Sequence, residues 1–164
     1  MVIQVVYDDK LGMQQPRLQY KQLEVGYEFP PTSYDLTPEA VARYLDAVEE
    51  QGSLYYQRHE ADVLTGQVPL TALVAYSIAA LSKHLLLPPG SIHVTQEIES
   101  LKPVSVGAKI TCRATVSRKQ DRANLRLLTI DLGIFDQNEE LVLSGKTGFI
   151  VSPEPDTGNE ERKQ

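Results

Sequence analysis

The chain has no tryptophan, three phenylalanines and a single cysteine among its 164 residues. One cysteine can neither pair within the chain nor build a multi-cysteine metal site. Cys112 therefore excludes a disulfide-stabilised secreted scaffold and is compatible with a reducing cytoplasm. Because Cys112 alternates with Ile110 and Ala114 on an apolar strand face, we expect it in the core and not as a nucleophile.

Positive charge and long apolar runs are also scarce. The 16 Lys and Arg residues against 22 Asp and Glu residues leave a net charge of −6, so the protein's field repels phosphate backbones and anionic headgroups. The N-terminus lacks the basic and apolar regions of a signal peptide, and the longest apolar stretch, residues 74–81, is too short to span a bilayer. We expect a soluble, unprocessed cytoplasmic protein that binds neither nucleic acid nor membranes.

The composition fits one globular domain. Hydrophobic residues make up 41% and charged residues 23% of the chain, and this length corresponds to a single domain. Residues 1–22 carry only two short apolar groups, at 2–7 and 18–20, and are interpreted as an N-terminal extension. Residues 152–164 contain no large apolar side chain, which predicts a disordered polar tail. The predicted domain is therefore residues 23–151.

A first, amphipathic helix is predicted to begin after Thr37. Thr37 can serve as the N-cap, Pro38 suits the first helical position, and Gly52 is available to end the helix. Its apolar residues recur at helical spacing, at Val41, Tyr44, Leu45 and Val48. This pattern indicates a helix that lies with one face on the core.

A second helix is predicted between Pro69 and Pro88. Residues 72–81 are apolar nearly all round, which is typical of a buried helix. Thr71 can cap its N-terminus, and the Pro88-Pro89-Gly90 sequence stops the chain after it. We expect this helix at the centre of the fold.

From Ser91 onward the apolar period changes from 3.6 to 2, which predicts strands. Four runs follow the pattern, at residues 92–98, 110–116, 125–135 and 141–151, and their short connections predict antiparallel neighbours. A further strand is predicted near residues 23–27. The sequence thus predicts an α+β fold in which a curved antiparallel sheet wraps a long buried helix.

This order of elements resembles the hot-dog fold, and the residues resemble its MaoC-like hydratase and dehydratase branch. Four segments carry the resemblance: LEVGYEF at 23–29, LTPEAVARY at 36–44, GQVPLTAL at 66–73 and LKPVSVGA at 101–108. The last is similar to the family's F-x-x-P-V-x-x-G strand connection. The resemblance implies reversible addition of water to a trans-2-enoyl thioester of CoA or acyl-carrier protein, which gives a 3-hydroxyacyl thioester.

The family's catalytic signature resembles G-D-x-N-P-[LIV]-H, and this sequence departs from it. The corresponding segment is EEQGSLY at 49–55, so Glu50 takes the Asp position and Tyr55 the His position, with Gly52 and Ser53 for Asn and Pro. A phenol of pKa about 10 serves better as a donor than as a base. The degenerate pair resembles the non-catalytic N-terminal hot-dog halves of two-domain or heterodimeric family members.

The candidate site residues follow from this comparison. Glu50 is the candidate base or water-orienting group, Tyr55 the candidate donor, and His59 a candidate replacement base. The backbone amides of Thr71 and Ala72, at the N-terminus of the buried helix, are the candidate clamp for the thioester carbonyl. The alternative is that Glu50 is solvated, Tyr55 packs in a loop, His59 lies on the surface and Thr71 only caps the helix.

Two other histidines and two glycines have structural interpretations. His84 falls in the last turn of the buried helix and His93 on the polar face of a strand. Gly145 and Gly148 are interpreted as permitting strand curvature and not as a phosphate-binding loop. No sequence pattern for a metal is present, and we expect neither a metal nor a cofactor.

Three functions remain open at this point. The first is an enoyl-thioester hydratase or 3-hydroxyacyl-thioester dehydratase with a degenerate Asp/His site. The second is a non-catalytic subunit that binds acyl-CoA or acyl-ACP and partners a catalytic hydratase. The third is a hot-dog thioesterase, for which Glu50, Glu60 or Asp62 could activate water. Because a lone hot-dog sheet has an exposed edge, we expect a homodimer or a heterodimer with another hot-dog chain.

Overall fold

The computed structural model describes residues 17–50, 56–58, 64–123 and 125–153. After a short 3₁₀ turn at Tyr20–Gln22, the elements run β1 (Thr32–Asp35), α1 (Pro38–Ala47), β2 (Tyr56–Arg58), β3 (Leu64–Gly66), α2 (Leu70–Ser82), β4 (Ile92–Ser100), β5 (Lys109–Arg122), β6 (Leu125–Phe135) and β7 (Leu141–Val151). The predicted tail lies outside the described residues from residue 154 onward, as do residues 1–16.

Five strands form one antiparallel sheet in the order β1-β5-β6-β7-β4. The β5-β6-β7 meander confirms the predicted hairpins, because Arg122 lies opposite Leu125 and Phe135 opposite Leu141. Strand β4 pairs with β7 and not with β5, so the predicted pairing of β4 with its successor in sequence is wrong. The connection between them is long enough to cross the end of the sheet, where its backbone bonds Val142, Gly66 and Leu36.

The strand predicted at residues 23–27 is also wrong. The segment forms a turn in which Gly26 has φ 89° and donates its N–H to the carbonyl oxygen of Val116 at 2.7 Å. The first sheet strand is instead β1. The apolar residues that suggested a strand are there because Leu23 is fully buried in the core.

Helix α2 is the central element, as predicted. Its N-terminal half packs in one apolar cluster with Leu45, Val68, Val104 and Ile134, and its C-terminal half packs in a second cluster with Leu23, Val116 and Leu128. Ser77, buried in α2, donates its hydroxyl to the carbonyl oxygen of Val74 at 2.8 Å, so its polar group is satisfied within the helix. The α+β arrangement of a curved sheet around a buried helix is confirmed.

The described part of the predicted extension packs on this domain. Leu18 exchanges backbone hydrogen bonds with His84 and Leu86. Tyr20 is 2% exposed and donates its hydroxyl to Asp121 Oδ1 at 2.9 Å. Burial first and this bond second raise the pKa of Tyr20 to about 12. In the described part of the chain, no helix is long and apolar enough to cross a membrane.

Candidate active site

Glu50 lies at the C-terminal end of α1, where the chain leaves the helix. Glu49 adopts φ 57°, and the N–H groups of Glu49 and Glu50 donate to the carbonyl oxygens of Asp46 at 3.2 Å and Leu45 at 2.9 Å. These two bonds form a Schellman motif, which satisfies carbonyl groups that the helix end would leave without a donor. The helix therefore ends before Gly52, and Glu50 is held by its backbone with an exposed side chain.

The remaining residues of the degenerate signature fall outside the described residues. Tyr55 is among them, and the candidates His59, Glu60 and Asp62 also lie outside the described residues. The predicted pairing of Tyr55 or His59 with Glu50 therefore stays a prediction. The described backbone places the neighbouring hairpin: β2 pairs with β3 so that Tyr56 lies opposite Gly66, and α1 packs against β3.

Helix α2 begins two residues earlier than the sequence predicts. Pro69 is the N-cap and Leu70 the first helical residue, so Thr71 does not cap the helix and lies within its first turn, exposed. The reason is that Pro69 has an extended ψ and no N–H to pair, which suits it to end the preceding segment. That segment is fixed to the core by a 2.8 Å bond from the N–H of Val68 to the carbonyl oxygen of Val104.

The two candidate clamp amides have different environments. The N–H of Ala72 donates to the carbonyl oxygen of Pro69 at 3.0 Å, and the N–H of Leu73 shares that acceptor at 3.3 Å. Within the described residues, the N–H of Thr71 has no hydrogen-bond partner. Thr71 therefore presents the better-placed first-turn donor for a ligand oxygen.

The elements that carry Glu50 and Thr71 share one apolar cluster. Leu45, five residues before Glu50, and Ala72, next to Thr71, both belong to it. A carboxylate can accept a proton from water, and a first-turn amide can donate to a carbonyl oxygen.

Two further titratable residues, His84 and Cys112, line a cavity between α2 and β5. His84 sits at the opposite end of α2, with its Nε2 3.4 Å from Thr32 Oγ1; burial first and Lys83 second lower its pKa. Cys112 is buried in the core as predicted, and burial raises its pKa to about 12. This thiol is accordingly unreactive at neutral pH.

The structure corrects the position of His93. Its Nε2 lies 2.8 Å from Oγ1 of the fully buried Thr147, and its ring is 5.1 Å from that of Phe149. A bulge between His93 and Thr95 brings His93 onto the same sheet face as Phe149, whereas strict alternation predicts the polar face. Bulges of this kind have no clear signature in the sequence.

Two further features bear on ligands. Among the described residues, no group of three or more His, Cys, Asp or Glu side chains could hold a metal ion. The cavity between α2 and β5, lined in part by Phe29, Ser77 and His84, has room for about one water molecule. An acyl chain does not fit this cavity.

Comparison with known families identifies the chain. The model of the FAS1-like, dehydratase domain region matches residues 24–144. The chain belongs to this family. Together with the hot-dog fold that it shares with solved structures such as the MaoC-like dehydratase from Rhodospirillum rubrum, this match confirms the predicted resemblance to a hot-dog dehydratase family.

Solved structures share the fold at low identity. The monoamine oxidase regulatory protein from Archaeoglobus fulgidus has a TM-score of 0.69 at 15% identity, over 87% of this chain and 99% of its own. The (R)-hydratase PhaJ1 from Pseudomonas aeruginosa has a TM-score of 0.67 at 16% identity, over 88% of this chain and 94% of its own. A chain of the HadBC (3R-hydroxyacyl-ACP dehydratase) complex from Mycobacterium tuberculosis has a TM-score of 0.62 at 18% identity, over 77% of this chain and 96% of its own. A search of curated proteins finds no match to the sequence.

Proposed function

We propose that the protein binds an acyl thioester of CoA or acyl-carrier protein and takes part in the reversible hydration of a trans-2-enoyl thioester. The observation that carries this proposal is the amide of the exposed Thr71 at the N-terminus of α2, which has no hydrogen-bond partner among the described residues. Membership of a dehydratase family supports the reaction class.

In this proposal the α2 amide and Glu50 have separate roles. The Thr71 N–H donates to the thioester carbonyl oxygen and stabilises the negative charge that develops there when water adds. Glu50 accepts a proton from water as the water oxygen bonds to C3, and it then passes that proton to C2, which completes the 3-hydroxyacyl product and restores the carboxylate. Tyr55 donates a hydrogen bond to the water. Dehydration follows the same steps in reverse.

One observation favours a second candidate function, a non-catalytic acyl-binding subunit. The Glu50 side chain is exposed, and the segment at 49–55 lacks the Asp and His of the family signature. Catalytic bases usually lie in a cleft, whereas this side chain is exposed. In this second reading the chain retains the Thr71 clamp, and a partner chain supplies the proton transfers.

Both candidate functions use a second hot-dog chain. The described cavity is far too small for an acyl group, and strand β4 is an open sheet edge exposed along eight of its nine residues. We infer that a second hot-dog chain pairs along β4 and completes the acyl pocket. Because the single cysteine is buried and unpaired, we also place the protein in the reducing cytoplasm.

The decisive experiment compares two point variants in an assay of trans-2-enoyl-CoA hydration. If the protein is a hydratase, Glu50→Gln should lower turnover at least 100-fold, on the usual scale for loss of a general base, while Glu49→Gln, its neighbour in the same exposed turn, should retain activity. If the protein is a binding subunit, neither variant hydrates enoyl-CoA and both bind acyl-CoA with unchanged affinity. Release of free CoA by the unmodified protein would instead support a thioesterase.

The amide clamp has its own test. Thr71→Pro removes one N–H in the first helical turn, where proline is tolerated, and Thr71→Ala keeps that N–H while removing the side chain. We expect acyl-CoA affinity to fall about 10-fold in the proline variant, the scale of one lost hydrogen bond, and to be unchanged in the alanine variant. Equal affinity in both variants would rule out the Thr71 clamp.

A further inference from the structure

The outer face of the sheet carries an apolar row that no described element covers. Inner-face residues of β6, such as Leu128 and Ile130, are buried against α2, so Leu127 points to the opposite face. The strand register aligns Ile92, Ile150 and Leu127 directly across β4, β7 and β6. We name this row and the adjacent Leu125 the outer apolar row.

The outer apolar row is well exposed. Ile92 is 56% exposed and Leu125 50% exposed, while Leu127 and Ile150 are half-buried. Contiguous exposed apolar surface of this kind on a sheet is a common mark of an interaction site.

Two arginines flank the row at the β5-β6 hairpin. Arg122 lies opposite Leu125, and Arg118 lies opposite Thr129. Leu125 and Thr129 are on the same outer face of β6 as Leu127, so both arginines are on that face as well. Both are exposed. A ligand for this surface therefore has an apolar stretch followed by negative charge.

We propose that the outer apolar row is the docking site of the chain's own N-terminal segment, residues 1–16. That segment begins MVIQVVYDD, whose β-branched residues favour an extended strand. In an extended conformation Ile3, Val5 and Tyr7 share one apolar face, and Asp8 and Asp9 follow directly. The order of apolar and acidic residues matches the outer apolar row and its two arginines.

The position of Arg17, the first residue described at the N-terminus, permits this docking. Leu18 bonds to His84 and Leu86 and packs in the cluster that contains Leu128 and Val151, the sequence neighbours of Leu127 and Ile150. The ten residues from Tyr7 to Pro16 can span about 30 Å when extended, whereas two strand spacings amount to about 10 Å. The segment therefore has ample length to pass round the end of the sheet.

The test uses cysteine labelling of the full chain, because Cys112 is buried and its raised pKa of about 12 makes it a silent background. Reporter variants are Leu125→Cys, in the outer apolar row, and Gln137→Cys, in the exposed β6-β7 turn. We expect Leu125→Cys to react with a maleimide at least 5-fold more slowly in the full chain than after deletion of residues 2–9. The rate for Gln137→Cys should not change.

Charge reversal makes the test specific. Added to the Leu125→Cys reporter, Arg118→Glu with Arg122→Glu should raise the labelling rate, and the further changes Asp8→Lys with Asp9→Lys should restore slow labelling. Equal rates with and without residues 2–9 would overturn the proposal. Slow labelling that persists after the deletion and is relieved by dilution would also overturn it, because a second copy would then be the occupant.

Discussion

At the scale of single residues, Glu49 occupies a backbone conformation that its side chain disfavours. It ends α1 with φ 57°, where glycine is the usual residue. The sequence pointed to Gly52 as the helix end, because a glutamate gives no signal for a left-handed conformation. The Schellman bonds to Asp46 and Leu45 hold Glu49 there at some cost in backbone strain.

Glu49→Gly should therefore stabilise the protein. Relief of the left-handed strain outweighs the added flexibility of glycine in the unfolded chain, and we expect a gain of about 1 kcal/mol in the free energy of unfolding, measured by urea denaturation. Ala42→Gly, within α1, should instead lose about 1 kcal/mol. A loss of stability in Glu49→Gly would contradict the strain assigned to this position.

His84 makes stability depend on pH. Burial first and Lys83 second lower its pKa below 6.5, so between the lowered value and 6.5 the unfolded chain binds more protons than the folded one. Stability contributed by neutral His84 is complete above pH 6.5 and is lost as the pH falls through this window. In urea denaturation between pH 7.5 and 5, His84→Gln should show a shallower loss of stability than the unmodified protein. If the free energy of unfolding falls equally with pH in both proteins, His84 does not cause the pH dependence.

At the scale of elements, two glycines let β4 lie against β7. A Cβ atom on Gly145 would lie 2.5 Å from the backbone carbonyl oxygen of Glu97, and one on Gly148 would clash with Oγ1 of Thr95. The first neighbour is backbone and cannot move without breaking the strand pair, whereas the second is a side chain. The sequence interpretation of these glycines as aids to curvature is thus refined to close strand approach.

The difference between the two neighbours predicts different outcomes. Gly145→Ala should destabilise the protein by about 2 kcal/mol or more, the range for a forced core or backbone shift. Gly148→Ala should also destabilise it, but Thr95→Ala in the same chain should recover most of that loss, since it removes the clashing oxygen. Urea denaturation of the three variants and of Thr95→Ala alone measures the coupling. If the stability changes of Gly148→Ala and Thr95→Ala simply add in the double variant, the close contact between positions 148 and 95 is contradicted.

The sequence predicts those elements whose limits are set by interactions between neighbouring residues. Strands β6 and β7 begin and end where alternation and turn residues place them, because both are set by neighbours in sequence. The pairing of β4 with β7, the bulge at His93 and the burial of Leu23 in a turn depend on contacts far along the chain. Local patterns carry no information on these contacts.

The candidate site shows the same division. Glu50 and Thr71 were identified through the family resemblance, and their roles stay predictions. Pro69 and not Thr71 caps α2, and the N–H of Ala72 donates to the carbonyl oxygen of Pro69. Both features depend on how the preceding segment is fixed to Val104. Tyr55 and His59 stay predictions.

At the scale of the whole molecule, the assembly proposed above depends on the edge strand β4. Exposed β-branched residues on this nine-residue edge would promote pairing with another chain. If two copies pair antiparallel with Gln96 on the symmetry axis, each Thr95 faces Glu97 of the second copy and no carboxylate faces another. Centring the pair on Glu97 or Ile98 would set glutamate directly against glutamate, which is destabilising.

This register gives a specific expectation for a homodimer. Directly opposed residues have Cβ atoms about 4.5–5.5 Å apart, within reach of a disulfide after small adjustment, so Gln96→Cys should crosslink two chains under mild oxidation. Glu97→Cys should not, because its opposite residue is then Thr95. Ile98→Lys should separate the chains in sedimentation experiments, since a charge would enter the pairing surface. If the unmodified protein sediments as a monomer at all concentrations, the partner is a hot-dog chain of different sequence, whose edge would carry basic residues opposite Glu97 and Glu99.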